Sequence, residues 1–341
     1  MDADVIGYLL AGDPAVRWQV LRDLTDADPG DVARERARVA REGWGAALLA
    51  EQAEDGRWDG GTYRPGWADP RRPFFDAWTA THFALQQLRE FGVDPEDPAV
   101  AAAIDRVRQH VRWEHDDEAY FDGETEPCIN GVALSAAVYF GVDGGSIVRT
   151  ILDGQLPDGG WNCYEGAGVS SFHSTICALE GLRDQRSHAD GDGRLDDALV
   201  RGEEYLLERR LLYRRTTGEL VDPRFAMASY PVRWYYDALR ALEYFRRADR
   251  RDARLQEPVE WLRGKRLANG MWNLENAHEG PTLRSLDGEG EGHPSRWVTL
   301  SALRVLRWWD RAAAGSAPPP AAVPAVDDAG GGAGHDDAPP R

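Results

Sequence analysis

Of four residues with metal-ligating side chains, two stand at matching points of the chain. Cys128 and His173 each precede a leucine by six residues in two segments of similar pattern. Because equivalent positions of neighbouring repeats lie side by side, these two side chains are predicted to meet. Cys163 occupies the turn just before His173. Zinc prefers thiolate and imidazole and accepts carboxylate, so the pattern predicts a zinc site of Cys128, Cys163 and His173, with Glu126 or water as the fourth ligand.

The fourth position would decide what such a metal does. An open position makes zinc catalytic, because it then activates a thiol or water or polarises a bound oxygen, whereas a closed one makes it structural. The alternative is that the three cysteines of the chain are small buried hydrophobic residues, and that His173 is a hydrogen-bonded core histidine.

A second group of candidates lies in residues 223–237, which are dense in arginine, tyrosine and tryptophan and are echoed by Pro294-Ser-Arg-Trp297. Guanidinium groups such as those of Arg224, Arg233 and Arg296 beside a helix N-terminus suit a diphosphate or a carboxylate. In the alternative, Arg233 and Asp237 form an ion pair four residues apart on a helix, and the aromatic side chains fill the core. The residues predicted to bind substrate are Arg233, Trp234, Tyr235, Arg296, Trp297 and Trp161.

Other motifs carry less chemistry. Glu114-His-Asp-Asp117 approaches the acidic motif with which some terpene cyclases protonate a double bond, but we interpret it as a solvated charge cluster. His82 is predicted to be a core histidine. Lys265 is the only lysine, and no motif around it supports Schiff-base chemistry. No glycine-rich nucleotide loop between a strand and a helix is found.

The composition limits the partners. The net charge is -18 and acids interleave with arginines, which argues against nucleic acid. Neither a signal peptide nor an apolar run of about 20 residues is found, so the chain is predicted to be cytoplasmic, without insertion into a membrane. The 13 tryptophans exceed what a surface helical protein needs, which indicates an aromatic interior.

The chain contains an internal repeat. Asp55-Gly-Arg-Trp58, Asp158-Gly-Gly-Trp161 and Asn269-Gly-Met-Trp272 each close a helical pattern. Six similar leucine-rich segments with small and aromatic residues on several faces are interpreted as inner helices, and more charged segments such as 98–112, 195–211 and 254–263 as outer helices. The prediction is an all-α fold, an (α/α)6 toroid over residues 1–315. Residues 316–341, rich in Ala, Pro, Gly and Asp, are predicted to be a disordered tail.

The turn phrases resemble the repeat of squalene cyclases and protein prenyltransferases, which share this toroid, over about residues 5 to 310. The run Phe121-Asp-Gly-Glu-Thr-Glu-Pro-Cys128 is similar to the glycine-rich turn before the zinc-binding Asp-x-Cys of prenyltransferase β-subunits. By that resemblance the family's metal ligands fall on Glu126, Cys128 and His173, with Glu in place of Asp and His173 one residue off the family's spacing. The chain also resembles an uncharacterised bacterial branch of prenyltransferase-like toroids.

The resemblance implies an enzyme that binds a prenyl or terpenoid substrate in an aromatic-lined cavity, with zinc-dependent group transfer favoured over cyclisation. A usual protein prenyltransferase also needs a helical α-subunit, and nothing in the sequence identifies such a partner. The alternative function is a non-catalytic toroid that binds a small apolar ligand or a partner protein, with zinc structural or absent.

Overall fold

The computed structural model describes residues 3–69, 71, 77–188, 192–286 and 288–313. The predicted tail, residues 316–341, lies outside them. The described residues form thirteen α-helices and three short 3-10 helices, and their only β-pairings are isolated bridges, so the all-α prediction is confirmed. Among these helices, none combines the length and hydropathy needed to cross a bilayer. The α-helices are α1 Ala3–Leu10, α2 Pro14–Leu24, α3 Pro29–Arg38, α4 Gly43–Leu49, α5 Thr81–Phe91, α6 Pro98–His110, α7 Pro127–Tyr139, α8 Gly145–Asp153, α9 Phe172–Arg186, α10 Gly193–Glu208, α11 Ala238–Arg247, α12 Gln256–Gly264 and α13 Arg296–Ala313.

Local sequence explains where several helices begin. Asp13 and Asp97 each precede a proline, and their side chains accept a hydrogen bond from the backbone N–H two residues later. An aspartate N-cap followed by proline satisfies one free N–H and removes another. Five of the six predicted inner segments begin within three residues of the start of a helix; their first residues are Arg17, Trp78, Cys128, His173 and Arg296. The sixth was predicted to begin at Arg233, but α11 begins only at Ala238 because Asp237 caps it.

The repeated tryptophan turns share one hydrogen-bond pattern. Each indole N–H donates to the carbonyl ten residues earlier in the preceding helix, and each tryptophan backbone N–H donates to a threonine hydroxyl in the next long helix. The three turns therefore join successive helices in the same way, which is the structural basis of the sequence repeat. The indole bonds are Trp58 to Leu48 (2.8 Å), Trp161 to Ile151 (2.7 Å) and Trp272 to Leu262 (2.8 Å), and the threonines are Thr81, Thr175 and Thr299.

Helices α7 and α9 pack with their backbones almost in contact. A Cβ atom at Gly131 would lie 2.1 Å from the Cys177 carbonyl oxygen, and one at Gly181 would lie 2.5 Å from the Gly131 carbonyl oxygen. Only glycine allows two helices to approach so closely without displacement. This crossing fixes the distance between the beginning of α7 and that of α9, where the candidate metal ligands lie.

Seven of the helices border a common cavity of about 470 Å³. They are α3, which contributes Arg36, and the series α2, α5, α7, α9, α11 and α13. Neighbours along this series are joined by specific contacts, such as the bond from the Trp18 indole to the Phe91 carbonyl and the Arg240–Glu180 ion pair. The last helix contacts the first through the Arg304–Asp23 ion pair of 2.5 Å.

Candidate functional site

Glu126, Cys128 and Cys163 converge at the beginning of α7. One ligand atom of each residue lies within 4.8 Å of those of the other two. The two sulfur atoms are 2.6 Å apart, and Cys128 Sγ lies 3.7 Å from a carboxylate oxygen of Glu126. We call these three residues the thiol cluster. The structure thus brings together three of the four predicted metal ligands.

Local structure positions each member of the thiol cluster. Glu126 is the N-cap residue of α7, so Cys128 stands in the first turn of that helix. Cys163 follows Trp161, whose indole bond and backbone bridge to Ser171 hold the turn against the beginning of α9. The repeat turn therefore delivers one sulfur, and the helix start delivers the other sulfur and the carboxylate.

The Cys163 sulfur is surrounded by hydrogen-bond donors. It lies 3.4 Å from the Cys128 backbone nitrogen at the N-terminal end of α7 and accepts from the Ser174 hydroxyl at 3.1 Å. The hydrogen bond with Cys163 and burial together raise the pKa of Cys128 well above its ordinary value, and burial raises that of Glu126. One charge is thus more easily held in the cluster than two.

His173 does not join the thiol cluster, contrary to the sequence expectation. Its Nδ1 accepts a hydrogen bond of 2.8 Å from the Tyr236 backbone N–H, and its ring packs edge-on against Phe225 and Trp234. Burial lowers the pKa of His173 to about 4. Successive residues of a helix point about 100° apart, so the next residue, Ser174, faces Cys163 instead. His173 is hydrogen-bonded, as the alternative interpretation expected, but it is partly buried and not a residue of the core.

The donor set of the thiol cluster fits zinc. Two thiolates and one carboxylate are accepted zinc ligands, and three protein ligands leave a fourth position for water or substrate, as in catalytic zinc sites. Sulfurs bound tetrahedrally at about 2.3 Å from zinc stand about 3.8 Å apart. The two sulfurs, now 2.6 Å apart, would have to separate by about 1 Å, which side-chain rotation supplies.

A continuous series of aromatic rings lies near the thiol cluster, and we call it the aromatic row. Neighbouring rings lie with centroids 3.9 to 5.9 Å apart. Burial and the nearby Cys128 and Glu126 raise the pKa of Tyr63 well above its ordinary value, which places one end of the row beside the cluster. In order along the row, its members are Tyr63, Phe83, Trp78, Tyr235, Trp234 and His173.

Comparison with known proteins adds no relative to these observations. No family model and no curated protein matches this chain. The function is therefore inferred from the residues of the site.

The structure replaces the proposed Arg233–Asp237 ion pair with another arrangement. Asp237 lies at the N-cap of α11, where its carboxylate accepts from the backbone N–H groups of Arg240 and Ser229. Arg233 precedes the helix in the left-handed region, with φ of 54°. Its guanidinium carbon lies 5.6 Å from the centre of the Trp78 ring in the aromatic row. The consecutive residues Arg233, Trp234 and Tyr235 therefore lie in the turn before α11 and not on a helix.

The remaining predicted substrate residues lie apart from this group. Arg296 donates to the Tyr8 carbonyl at 3.2 Å and covers the Tyr8 ring, so it joins α13 to α1. Trp161 is fully buried with its indole bonded to Ile151, which gives it a role in the repeat turn. Trp297 does border the cavity, where its ring stacks on Tyr230 at 4.6 Å.

Sequence reasoning missed three polar residues of the cavity, Gln86, Glu90 and Tyr230. Gln86 Oε1, Glu90 Oε2 and the Tyr230 hydroxyl are buried without a hydrogen-bond partner among the described residues. A signal for two of them was present, because Gln86 and Glu90 stand four residues apart on the leucine-rich α5 and so share one face. Nothing in the spacing pointed to Tyr230.

The other sequence motifs have structural roles. The Glu114 region is exposed, as expected for a charge cluster, and the Glu114 carboxylate also accepts backbone N–H bonds from Thr62 and Tyr63. His82 is a core histidine, as predicted, with Nδ1 3.2 Å from the Tyr120 hydroxyl. Lys265 forms an ion pair of 2.7 Å with Glu275.

Proposed function

We propose that this chain is a prenyltransferase-like enzyme with an (α/α)6 toroid fold, which binds an isoprenoid substrate beside a zinc-binding thiol cluster. The observation that carries the proposal is the convergence of Glu126, Cys128 and Cys163 at one end of the aromatic row. A polarising centre and an apolar aromatic surface are the two parts that isoprenoid chemistry needs.

Two features support the toroid. Helices α2, α5, α7, α9, α11 and α13 all border one cavity, and the Arg304–Asp23 contact joins the last of them to the first. In a toroid these would be the inner helices, and the helices between them would form an outer layer. The outer candidates fit this role because α8, α10 and α12 each bury one face and expose the other.

We propose a separate role for each residue of the site. Glu126, Cys128 and Cys163 would bind zinc and leave one position open, and the Ser174 hydroxyl would orient Cys163 through its hydrogen bond. Bound zinc would supply the charge that activates a thiol or water at the open position. Trp78 and Tyr235 would pack against the isoprenoid chain, and Arg233 would pair with its anionic head group. The reducing cytoplasm, our proposed location, would keep both thiols available.

A metal assay tests the cluster. The chain is purified without a histidine tag, reconstituted with zinc and dialysed, and bound zinc is measured by mass spectrometry. We expect about one zinc per chain in the wild type and less than about a tenth of that in Cys128→Ser and Cys163→Ser, because each variant removes a ligand. Cys177→Ser is the matched control, since Cys177 is buried on α9 but is not part of the cluster.

A binding assay tests the substrate class. Farnesol, a farnesyl chain with a neutral head group, is titrated into the zinc-loaded chain by calorimetry. We expect saturable binding that Tyr235→Ala weakens about tenfold, because the substitution removes a ring from the aromatic row. A folded wild type that takes up no zinc would contradict the proposed zinc site. A folded wild type that binds no farnesol would contradict the proposal that the substrate is an isoprenoid.

One observation favours the alternative, a non-catalytic toroid that binds a small ligand or partner protein. Most cavity arginines are already paired with carboxylates, as Arg89 is with Asp184 and Arg240 with Glu180. Such pairs stabilise the wall of a cavity without any chemistry. Farnesol binding without zinc uptake would support this second function.

A further inference from the structure

Five polar groups are crowded beside the central cavity without partners. Besides Gln86 Oε1, Glu90 Oε2 and the Tyr230 hydroxyl, the Trp297 indole N–H is buried and without a hydrogen bond among the described residues. The fifth group is the Arg233 guanidinium, for which the described residues supply neither a hydrogen bond nor an ion pair. A buried unsatisfied polar group costs about 1–3 kcal/mol, and a charged one costs more. Five together indicate a site completed by a ligand.

The burial of these groups is nearly complete. Arg233 is 3% exposed, Trp297 4% and Gln86 6%. Gln86 Nε2 donates to the Arg233 carbonyl at 2.8 Å, and the Tyr230 ring stacks on Trp297. The members therefore form one group, which comes from three segments: helix α5, the turn that precedes α11, and helix α13. We call this group the polar pocket. Burial lowers the pKa of Arg233 to about 10, which leaves it charged at neutral pH.

The donors of the polar pocket define what it would bind. Arg233, Tyr230 and Trp297 all offer hydrogen atoms, and Arg233 also offers a positive charge. A carboxylate has two oxygens with about four acceptor sites, and it pairs with guanidinium in a bidentate geometry. Gln86 remains as an acceptor for a hydroxyl group or water.

The acid of the polar pocket limits the charge of the ligand. Glu90 exerts the strongest charge interaction on Arg233 of any group around it. The arginines that border the cavity are already engaged. Arg240 pairs with Glu180 at 2.6 Å, and Arg304 with Asp23. Either ligand would meet one cation and one acid, but a diphosphate brings two or more negative charges beside Glu90, whereas a carboxylate brings only one.

We infer that the head group of the ligand bound by this chain is a single carboxylate, held by Arg233, Tyr230 and Trp297, and not a diphosphate. The inference rests on the proposed function, because it takes the ligand to be an isoprenoid that lies along the aromatic row. A carboxylate is not a leaving group, so this ligand would be the acceptor of a transferred group and not the prenyl donor. It assigns Glu90 the role of discriminating against more highly charged head groups.

The test compares three farnesyl compounds on the full-length zinc-loaded chain by calorimetry: farnesoic acid, farnesyl diphosphate and farnesol. We expect farnesoic acid to bind about tenfold more tightly than farnesol and more tightly than the diphosphate. Arg233→Gln should reduce the affinity for farnesoic acid to that for farnesol. Arg224→Gln is the matched control and should change nothing, because Arg224 is exposed and paired with Asp222.

A second variant tests the discrimination. Glu90→Gln removes the charge and keeps the shape, so it should raise the affinity for the diphosphate several-fold and change that for farnesoic acid less. Tighter binding of the diphosphate to the wild type would overturn the inference and leave the proposed function standing. Equal affinities for farnesoic acid and farnesol would also overturn it, since water would then fill the polar pocket. If none of the three compounds binds, both the inference and the isoprenoid proposal fail.

Discussion

The thiol cluster and the polar pocket satisfy their polar groups in opposite ways. In the thiol cluster the Cys163 sulfur lies within hydrogen-bonding distance of a backbone N–H and a serine hydroxyl. In the polar pocket, Arg233 and Trp297 are more deeply buried than Cys163, yet their donors have no acceptor among the described residues. The thiol cluster is therefore organised before anything binds, whereas the polar pocket is complete only with a ligand.

The largest effect is expected where the backbones of α7 and α9 meet. Gly131→Ala would place a Cβ 2.1 Å from the Cys177 carbonyl oxygen, so the helices would have to separate. We expect a loss of about 3 kcal/mol in the free energy of unfolding, together with weaker zinc binding. Gly193→Ala is the control, because nothing lies within 4 Å of the added atom. Equal urea midpoints for the two variants would show that the crossing does not organise the cluster.

Substitution of two tryptophans compares the stability contributed by an indole N–H that is hydrogen-bonded with that of one that is not. Trp161→Phe removes the bond to Ile151 and leaves a buried carbonyl without its donor, so we expect a loss of about 2 kcal/mol in the free energy of unfolding. Trp297→Phe removes an N–H that has no partner among the described residues, and the loss should be about half of that or less. Thermal and urea denaturation provide both values. An equal loss would mean that the Trp297 indole is satisfied after all.

Adjacent residues on α9 test which side chain serves the cluster. Ser174→Ala removes the donor to Cys163 and should weaken zinc binding about tenfold, as is typical when a group that supports a metal ligand is lost. His173→Ala should change zinc affinity less than threefold, because its ring is bonded to Tyr236 instead. Competition with a chromophoric chelator measures both affinities. A larger effect for His173→Ala would restore histidine as a ligand.

The smallest effect concerns Glu90 and depends on pH. Burial raises the pKa of Glu90 above its ordinary 4.5, against the opposing charges of Arg233, Arg89 and Arg240 and with a contribution from Glu180. The folded state therefore binds this proton more tightly than the unfolded state, and stability is lost as pH rises above 4.5.

Glu90→Gln should consequently unfold like the wild type below that pH and be more stable by about 1 kcal/mol at pH 8. Denaturation at several pH values checks this, with Glu118→Gln as an exposed control. A variant that is less stable than the wild type at pH 8 would show that the Glu90 charge is stabilised by a partner, contrary to our description of the polar pocket.

Sequence patterns predicted the local parts of this molecule well. The all-α class and the joining role of the tryptophan turns follow from short-range spacing, which a single sequence records directly. Repeat equivalence predicted that Cys128 and His173 would meet, and Cys163 was added because it lies in the turn before His173. In the structure Cys163 lies beside Cys128. Repeats constrain where a helix begins more tightly than which face of it a residue occupies.

That limit explains the failures. His173 was expected beside the cysteines, but a difference of one residue turns a helical side chain by about 100°, and Ser174 took the place. Arg233 was assigned to an inner helix because residues 233–239 resemble the other leucine-rich segments, but Asp237 is the cap that begins α11. The polar pocket could not be predicted at all, because its members come from three separate segments and are united only by helix packing.

X-ray absorption spectroscopy at the zinc edge, on the zinc-loaded full-length chain, tests most directly whether the thiol cluster is the metal centre. The cluster predicts two sulfur neighbours at about 2.3 Å, with oxygen atoms completing the shell and no imidazole scattering. A shell with one sulfur or none, or with clear imidazole scattering, would contradict the assignment of Glu126, Cys128 and Cys163 as the ligands.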